Sequence, residues 1–409
     1  VVPVGNVISQ NPAEGLLVDE GSAVNLVVSG GLPDLTVSLT NISLSQASPS
    51  ATVTVSNIGD GTLSWAAGVD DAAIEVAPGV FTGNSTSVTI STSDFSKPYT
   101  AQVTFANDDD PADTEVVALS VTGEMASVPA GAFEMGDAFD EGAANELPAH
   151  TVTLSAYTIG KYEVTNQEFA DILNWALETE RLAGRSGDVW VYERLLLEES
   201  SPYCSIGYSG SEYIVDERDG YSMANHPVVL VTWFGAAVYC NWLSEWQGLE
   251  PCYDTDTWTC DFSRDGYHLP TEAQWERAAA WDPSEGGYHY RYGNGSDSIS
   301  PANVNYDENN PLGLSGHPYT SPVGYYTAVT SPAGCFDMSG NVWEWCNDVF
   351  NDDYYSSSPA ISPEGPASGS TRVVRGGSWY NPATYQRSAN RADDAASNVR
   401  FWRGFRVAR

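Results

Sequence analysis

Lysine is nearly missing from this chain of 409 residues: only Lys97 and Lys161 occur, and arginine supplies the rest of the 17 basic side chains. Acids number 54, so the formal net charge is −37. A surface this negative repels phosphate backbones and anionic lipid, which argues against nucleic-acid partners. No apolar run reaches the ~18 residues of a membrane helix, so membrane insertion is not expected. No CxxC pair occurs, and the histidines at 150, 226, 268, 289 and 317 form no ligand-spaced cluster. A zinc site is therefore not expected. No initiator Met precedes Val1, and a mature or trimmed form is expected.

What is present argues for folded domains. Hydrophobic residues make up 42% and aromatics 11%, enough for real cores despite the acidity. The length suits two or three domains. Six cysteines, an even number, fit an oxidising compartment and suggest a secreted or cell-surface protein. Nearest-neighbour pairing would join Cys252 to Cys260, Cys335 to Cys346 and Cys204 to Cys240, among other possible connectivities. Charge is unevenly placed. Residues 1–123 hold 14 acids against Lys97, whereas residues 371–409 hold eight arginines against Asp393 and Asp394.

Residues 1–31 read as two short strands, Val7–Ser9 and Ala23–Ser29, around the turn-rich NPAEG at 11–15. Gly30-Gly31-Leu32-Pro33 reads as a linker. Residues 34–123 alternate apolar and polar positions in LTVSLT, ATVTVSN, SVTIST, AQVTFAN and EVVALSVTG, with turn signals between them. That pattern implies an immunoglobulin-like β-sandwich. Helical signals appear only later. Thr165 and Glu168 form a capping box, Thr232 to Glu245 carries an apolar helix that Gly248 can end, and Thr271 with Gln274 follows Pro270. The tail reads as β at Thr371–Val374 and Gly404–Ala408.

Three resemblances follow from these residues. The run VISQNPAEGLLVDEGSAVNLVVSGG resembles part of a PASTA repeat; an incomplete module of this kind invites self-assembly through the N-terminal segment. The segment SNIGDGTLSWAA resembles bacterial surface sandwiches used as spacers. Residues 126–409 carry VPAGAFEMGD, LPAHTVTLSAYTIGKYEVTNQEFADIL, HPVVLVTWFGAAVYCNWLSE, GYHLPTEAQWERAAAW, FDMSGNVWEWCND and VVRGGSWY…RSANR…RGFRVAR, in that order. Together these closely resemble the formylglycine-generating enzyme (sulfatase-modifying factor) family. That likeness implies an α+β C-type-lectin-like fold behind the β-sandwich.

The enzymes of that family oxidise a substrate cysteine and hold copper through two thiolates just after RGGS. Here those positions are Asn381 and Gln386, and no cysteine follows Cys346. Soft ligands for Cu(I) are missing, and so is the histidine cluster that related ergothioneine-pathway oxygenases use for iron. No copper, no iron and no catalysis are expected. The resemblance does imply calcium, through Asp337, Gly340, Val342 and Glu344. A weaker second site maps onto Asn303, Val304 and the loop near Ser315–His317.

The tail WYNPATYQRSANRADDAASNVRFWRGFRVAR also resembles the variable proteins of diversity-generating retroelements, which bind ligands between such fixed positions. The candidate contacts are Tyr380, Asn381, Tyr385, Asp393, Asn398, Arg400, Phe401, Trp402 and Arg403. Tyr and Trp offer rigid area, and Asn and Asp offer adaptable hydrogen bonds. Trp379 is expected in the core. Arg375, Arg391 and Arg406 are expected to pair with buried carboxylates such as Glu344 or Glu276. The reading is a secreted or surface-displayed, non-catalytic adhesion protein with a protein or glycan ligand. The alternatives are a subunit of an extracellular filament or layer, and an oxidase of the same family with an altered site.

Overall fold

The computed structural model describes residues 7–11, 25–28, 33–44, 50–92, 99–121, 124–184 and 187–409. The chain divides into two compact units, Val1–Thr122 and Gly123–Arg409. In the first, Val7–Asn11 pairs antiparallel with Asn25–Val28. The NPAEG turn beyond Asn11 and the linker at 30–32 lie outside the described residues.

Residues 33–121 form two sheets around one core. A four-stranded sheet orders Leu35–Val37, Ser50–Asn57, Ser85–Thr92 and Ile74–Ala77. A five-stranded sheet orders Asn41–Leu44, Thr114–Val121, Tyr99–Asn107, Leu63–Val69 and Val80–Gly83. Val53, Val55, Val88 and Ile90 from the first sheet meet Trp65, Val103, Phe105 and Leu119 from the second. Alternation along each strand sends these side chains to one face, as the period-two pattern requires. The strands Asn41–Leu44, Leu63–Val69, Ile74–Ala77 and Val80–Gly83 are additional to the five expected segments; all but Leu63–Val69 have four residues, too short for alternation to stand out.

The second unit has three helices and little regular sheet. Helix α1 (Asn166–Glu178) starts at Thr165, whose hydroxyl accepts the Glu168 N–H at 3.2 Å, while the Glu168 carboxylate accepts the Thr165 N–H at 2.7 Å. It buries Phe169, Ile172, Leu173 and Ala176 on one face. Helix α2 (Trp233–Trp246) is apolar all round and almost wholly buried. Trp233 is completely enclosed. Burying roughly 200 Å² of indole stabilises the fold by about 5 kcal/mol. Helix α3 (Glu272–Ala280) is closed by the Thr271–Gln274 box.

A four-stranded sheet lies against these helices in the order Arg391–Ala395, Thr371–Arg375, Trp343–Val349, Arg403–Gly404. Its last pairing is parallel and the others are antiparallel. The expected strand at 404–408 is therefore shorter. Only Arg403 and Gly404 lie in the sheet, and Ala408 makes single bridges to Ile159 and His268. Phe401 and Trp402 occupy the preceding turn, so strand alternation does not govern their burial.

All six cysteines are free thiols. Cys335 and Cys346 are buried, but neither thiol has the other as an electrostatic neighbour. Cys204 instead donates toward the Ile206 carbonyl at 3.4 Å. None of the three expected pairings, Cys252–Cys260, Cys335–Cys346 and Cys204–Cys240, is formed.

Candidate functional site

The tail leaves the sheet through Gly376 and Gly377, at φ +94° and +72°. Both turns need glycine. A Cβ on Gly376 would approach the Trp275 ring to 3.1 Å, and one on Gly377 would collide with the Gln386 amide. Gln386 is fully buried. Its Nε2 donates to the Asn381 carbonyl at 2.9 Å and the Ser378 carbonyl at 3.1 Å. The Asn381 Oδ1 accepts from Trp343 Nε1 at 2.8 Å and from Ser378 Oγ at 2.7 Å. The two positions expected to lack thiolates are thus joined by an amide network. Neither residue offers copper a soft ligand.

Aromatic rings gather beside this network. Tyr380 stacks on Trp402 with centroids 5.3 Å apart and planes 16° from parallel. Trp402 touches Phe401 at 4.6 Å, and Phe401 reaches Tyr203 at 4.5 Å and His317 at 5.9 Å. Trp379 lies beneath, wholly buried against His317, Tyr319, Tyr380 and Phe401, and its indole N–H has no partner. Tyr380 and Tyr385 are 41% and 44% exposed. The fold therefore brings together Tyr380, Asn381, Tyr385, Phe401 and Trp402, with Tyr385 linked through Trp343 at 6.2 Å. Tyr203, His317 and Tyr319 join them from distant segments, a grouping that no motif in the sequence announces.

The other candidates stand apart. Asp393 is exposed on the edge strand Arg391–Ala395, and its carboxylate makes no hydrogen bond. Asn398 donates to Asp394. Arg400 pairs with Asp394 at 3.2 Å while lying over the Trp402 ring at 5.9 Å. Arg403 corrects the expectation of a contact residue. It is 3% exposed, bonded to Asp394 at 2.7 Å and stacked over Trp345 at 4.1 Å.

The arginine-rich tail is mostly interior. Arg375 reaches Glu272 and Glu276 at 3.1 and 2.5 Å. Arg391 grips Glu272 with two bonds of 2.7 Å, and Arg387 grips Glu146 likewise. Arg406 bonds both oxygens of Glu344, at 2.6 and 2.7 Å. Burial alone would raise the Glu276 carboxyl, but Arg375 and His289 beside it hold it down at about 2. With Arg403, five of the eight tail arginines are buried. The exposed tip is aromatic rather than basic, and the positive balance of the tail is an internal property.

The calcium positions divide. Glu344 is buried with Glu163, a third carboxylate that the sequence reading missed, and Asp337 sits half-buried beside them. Glu163 accepts the Val342 N–H and the Asn341 amide. Burial pushes Asp337 up to about 6 and Glu163 well above the ordinary carboxylate range, with Glu344 adding repulsion to both. Among the described residues Arg406 is the cation that faces the three. This excess of buried negative charge fits a hard cation at Asp337, Gly340, Val342 and Glu344. Among the described residues no three acid, histidine or cysteine side chains converge to hold a metal, so backbone carbonyls would have to complete such a site. Glu344 serves first as the partner of Arg406.

The second position does not fit. Asn303 Oδ1 accepts the Ser300 N–H at 2.8 Å. Ser315 is held by Asp219, and the Arg218 guanidinium donates to the Pro318 carbonyl at 2.9 Å and the Gly316 carbonyl at 3.5 Å. Val304 is buried in the core. A cation of the chain's own closes this loop.

The comparisons agree with this geometry. Residues 112–409 match the sulfatase-modifying factor enzyme 1-like domain family. The formylglycine-generating enzyme of Streptomyces coelicolor is 31% identical over 315 residues, covering 69% of this chain and 87% of that enzyme. The serine/threonine-protein kinase pkn1 of Chlamydia pneumoniae is 31% identical over 288 residues, 70% of this chain but 38% of the kinase. Among solved structures, Treponema denticola variable protein 1 superposes with a TM-score of 0.50 at 28% identity, covering 69% of this chain and 94% of that one. The chain belongs to the sulfatase-modifying factor enzyme 1-like domain family.

Proposed function

We propose that this protein is a secreted or surface-displayed, non-catalytic ligand-binding protein that adheres through the C-terminal face of its lectin-like unit. One observation carries the reading: exposed Tyr380 is stacked on half-buried Trp402, and the pair is mounted on the Asn381–Gln386 network that stands where the family's copper enzymes have thiolates. Rigid aromatic pairs lose little entropy on binding, and a rigid support keeps them in place. The likeness to a Treponema variable protein supports the same use of the fold. With most tail arginines neutralised inside, recognition rests on aromatic contact and amide hydrogen bonding. Protein and glycan ligands both suit that chemistry, whereas nucleic acid suits neither the net charge nor the tip.

The remaining parts of the proposal concern context. The N-terminal modules, a partial PASTA-like segment and an immunoglobulin-like sandwich, serve as spacers, and calcium occupies the Asp337–Glu344 segment. The test is a binding screen of the full chain against bacterial envelopes and glycan arrays, repeated with Tyr380→Ala and Trp402→Ala. Binding that survives both substitutions unchanged overturns the assigned surface. Turnover of a cysteine peptide with oxygen uptake would favour the oxidase alternative.

A further inference from the structure

A second chemically distinctive place lies away from the tail, in the loop after α2. Here Cys252 and Cys260 stand on two antiparallel stretches of backbone. Tyr253 bridges Cys260, the Asp261 N–H donates to the Cys252 carbonyl at 2.8 Å, and the Asp254 N–H donates to the Thr259 carbonyl at 3.0 Å. Each of the two thiols is the largest electrostatic influence on the other. Cys252 is 1% exposed, and Cys260 is partly open to solvent. Cys204, Cys335 and Cys346 have no such thiol partner.

We propose that Cys252 and Cys260 form a dithiol site that closes to an intramolecular disulfide by exchange with small-molecule disulfides. Cys260, the accessible thiol, attacks an external disulfide RSSR. One sulfur leaves as RS⁻ and takes the thiol proton, and a mixed disulfide remains on Cys260. The Cys252 thiolate then attacks the Cys260 sulfur and expels the second RS⁻, which takes the remaining proton. The sum is two protein thiols plus RSSR giving one protein disulfide plus two RSH. The protein pair is oxidised and the small disulfide is reduced.

The Cys252 sulfur and burial push the Cys260 thiol up, so its attack is the slow step, and the surroundings favour Cys252 for the second step. The Cys260 thiol, the Gly266 N–H and the nearby Arg264 hold Cys252 below the ordinary thiol range, against burial and the Asp261 carboxylate. A stabilised thiolate is the form that resolves a mixed disulfide. Cys240 on α2 is a third thiol close to both, but it is fully buried and its thiol is pushed up by burial.

Closure would fix the loop 253–259. Tyr253 packs edge-on to Trp233 at 5.6 Å, and its carbonyl accepts the Asn241 amide at 2.8 Å. Trp258, held at φ +58°, packs on Phe234 at 4.7 Å. Tyr253, Asp254 and Thr255 also wall a cavity of about 300 Å³ against Asn241, Trp242 and Glu245 of α2. The redox state of the pair thus sets the mobility of one wall of that cavity.

The test uses the full chain equilibrated with mixtures of reduced and oxidised glutathione, then denatured, alkylated and cleaved before Asp254 and Asp256. The expected result under oxidising mixtures is a Cys252–Cys260 linked peptide, four alkylated thiols and a melting temperature raised by a few degrees. Cys252→Ala should trap a glutathione adduct on Cys260, and Cys260→Ser should take up none. Six alkylated thiols at every ratio, or a link to Cys240 instead, would overturn the proposal. Because the wild-type peptide map decides the matter, a variant that folds poorly does not shield it.

Discussion

The side-chain amide of Gln386 donates to the backbone carbonyl of Asn381 at 2.9 Å, joining the two positions where this family's copper enzymes place their thiolates. The same Nε2 also reaches the Ser378 and Pro382 carbonyls, at 3.1 and 3.4 Å. An amide that serves three carbonyls is a structural tie and a poor ligand for Cu(I). Wild-type protein exposed to Cu(I) and desalted should therefore carry no stoichiometric copper at this position. The double variant Asn381→Cys with Gln386→Cys should retain it, read by metal analysis and thiolate–copper absorption. Equal copper in both proteins would mean that other side chains bind it.

Tyr380 and Trp402 should be the most damaging positions for ligand binding, and Tyr380 should be among the mildest for stability. Tyr380 is 41% exposed, so truncating it leaves no cavity. Removing either ring should weaken binding about tenfold or more, a loss of about 1.4 kcal/mol or greater. Arg403→Ala should do the reverse. It removes the buried partner of Asp394, leaving that carboxylate to Arg400 and Asn398, and it uncovers Trp345, so the melting temperature should fall markedly. Surface plasmon resonance with the identified ligand, paired with thermal melts, separates the two effects.

How far the sequence foretold this molecule depended on the range of the interaction. Helices α1 and α3 were readable because their capping boxes span three residues, Thr165 to Glu168 and Thr271 to Gln274. The amide-filled thiolate positions were readable because RGGS fixes the count to Asn381 and Gln386. The burial of Arg375, Arg391 and Arg406 against carboxylates was readable from their fixed motifs, but the partners Glu272 and Glu146 were not, because they are remote: Glu146 lies 241 residues from Arg387, and Glu272 lies 119 from Arg391. Arg403 was misplaced for the same reason, since only the sheet puts it over Trp345. Glu163 gave no signal, being one acid between Tyr162 and Val164 whose burial comes from packing with residues 337–344.

Arg406 and Glu344 are both inaccessible to solvent, and their fork-to-fork contact is the kind of pair whose loss is costly. Arg406→Met should destabilise the protein by about 3–5 kcal/mol, because it leaves Glu344 charged and buried beside Asp337 and Glu163. Arg400→Ala, at a side chain 42% exposed, should change stability by less than about 0.5 kcal/mol. Urea unfolding of the two variants gives the comparison. Similar losses in both would contradict the assignment of inside and outside in the tail.

Calcium should raise the melting temperature, since an ion that binds only the folded chain adds stability by mass action. Asp337→Ala should abolish that rise, and Ser315→Ala should leave it intact, because the loop at 315–318 is already closed by Arg218 and Asp219. A calcium response unchanged in Asp337→Ala would remove the ion from this segment.

Two sets of buried groups make stability depend on pH with opposite signs. Burial pushes His226 and His268 down to about 4. Between pH 6.5 and 4 the unfolded chain binds protons that these folded histidines refuse, so their contribution is lost as pH falls. Each shift is worth up to about 3 kcal/mol. Glu276, held at about 2, extends the loss below pH 4.5. Asp348 acts the other way. Burial and the neighbouring Glu272 push it up to about 8, so the folded state keeps a proton that the unfolded chain releases above pH 4. Its contribution is present at low pH and disappears as pH rises toward 8. Wild-type curves sum these effects, and single variants separate them. The stability gap between wild type and His268→Gln should narrow from pH 7 to pH 4. Asp348→Asn should gain on wild type from pH 5 to pH 8.5. Urea unfolding across that range reads both slopes. A His268→Gln gap that widens on acidification would mean that the histidine is charged in the folded state, against its enclosure beside Phe262 and its Nδ1 contact with the Leu269 carbonyl at 2.8 Å.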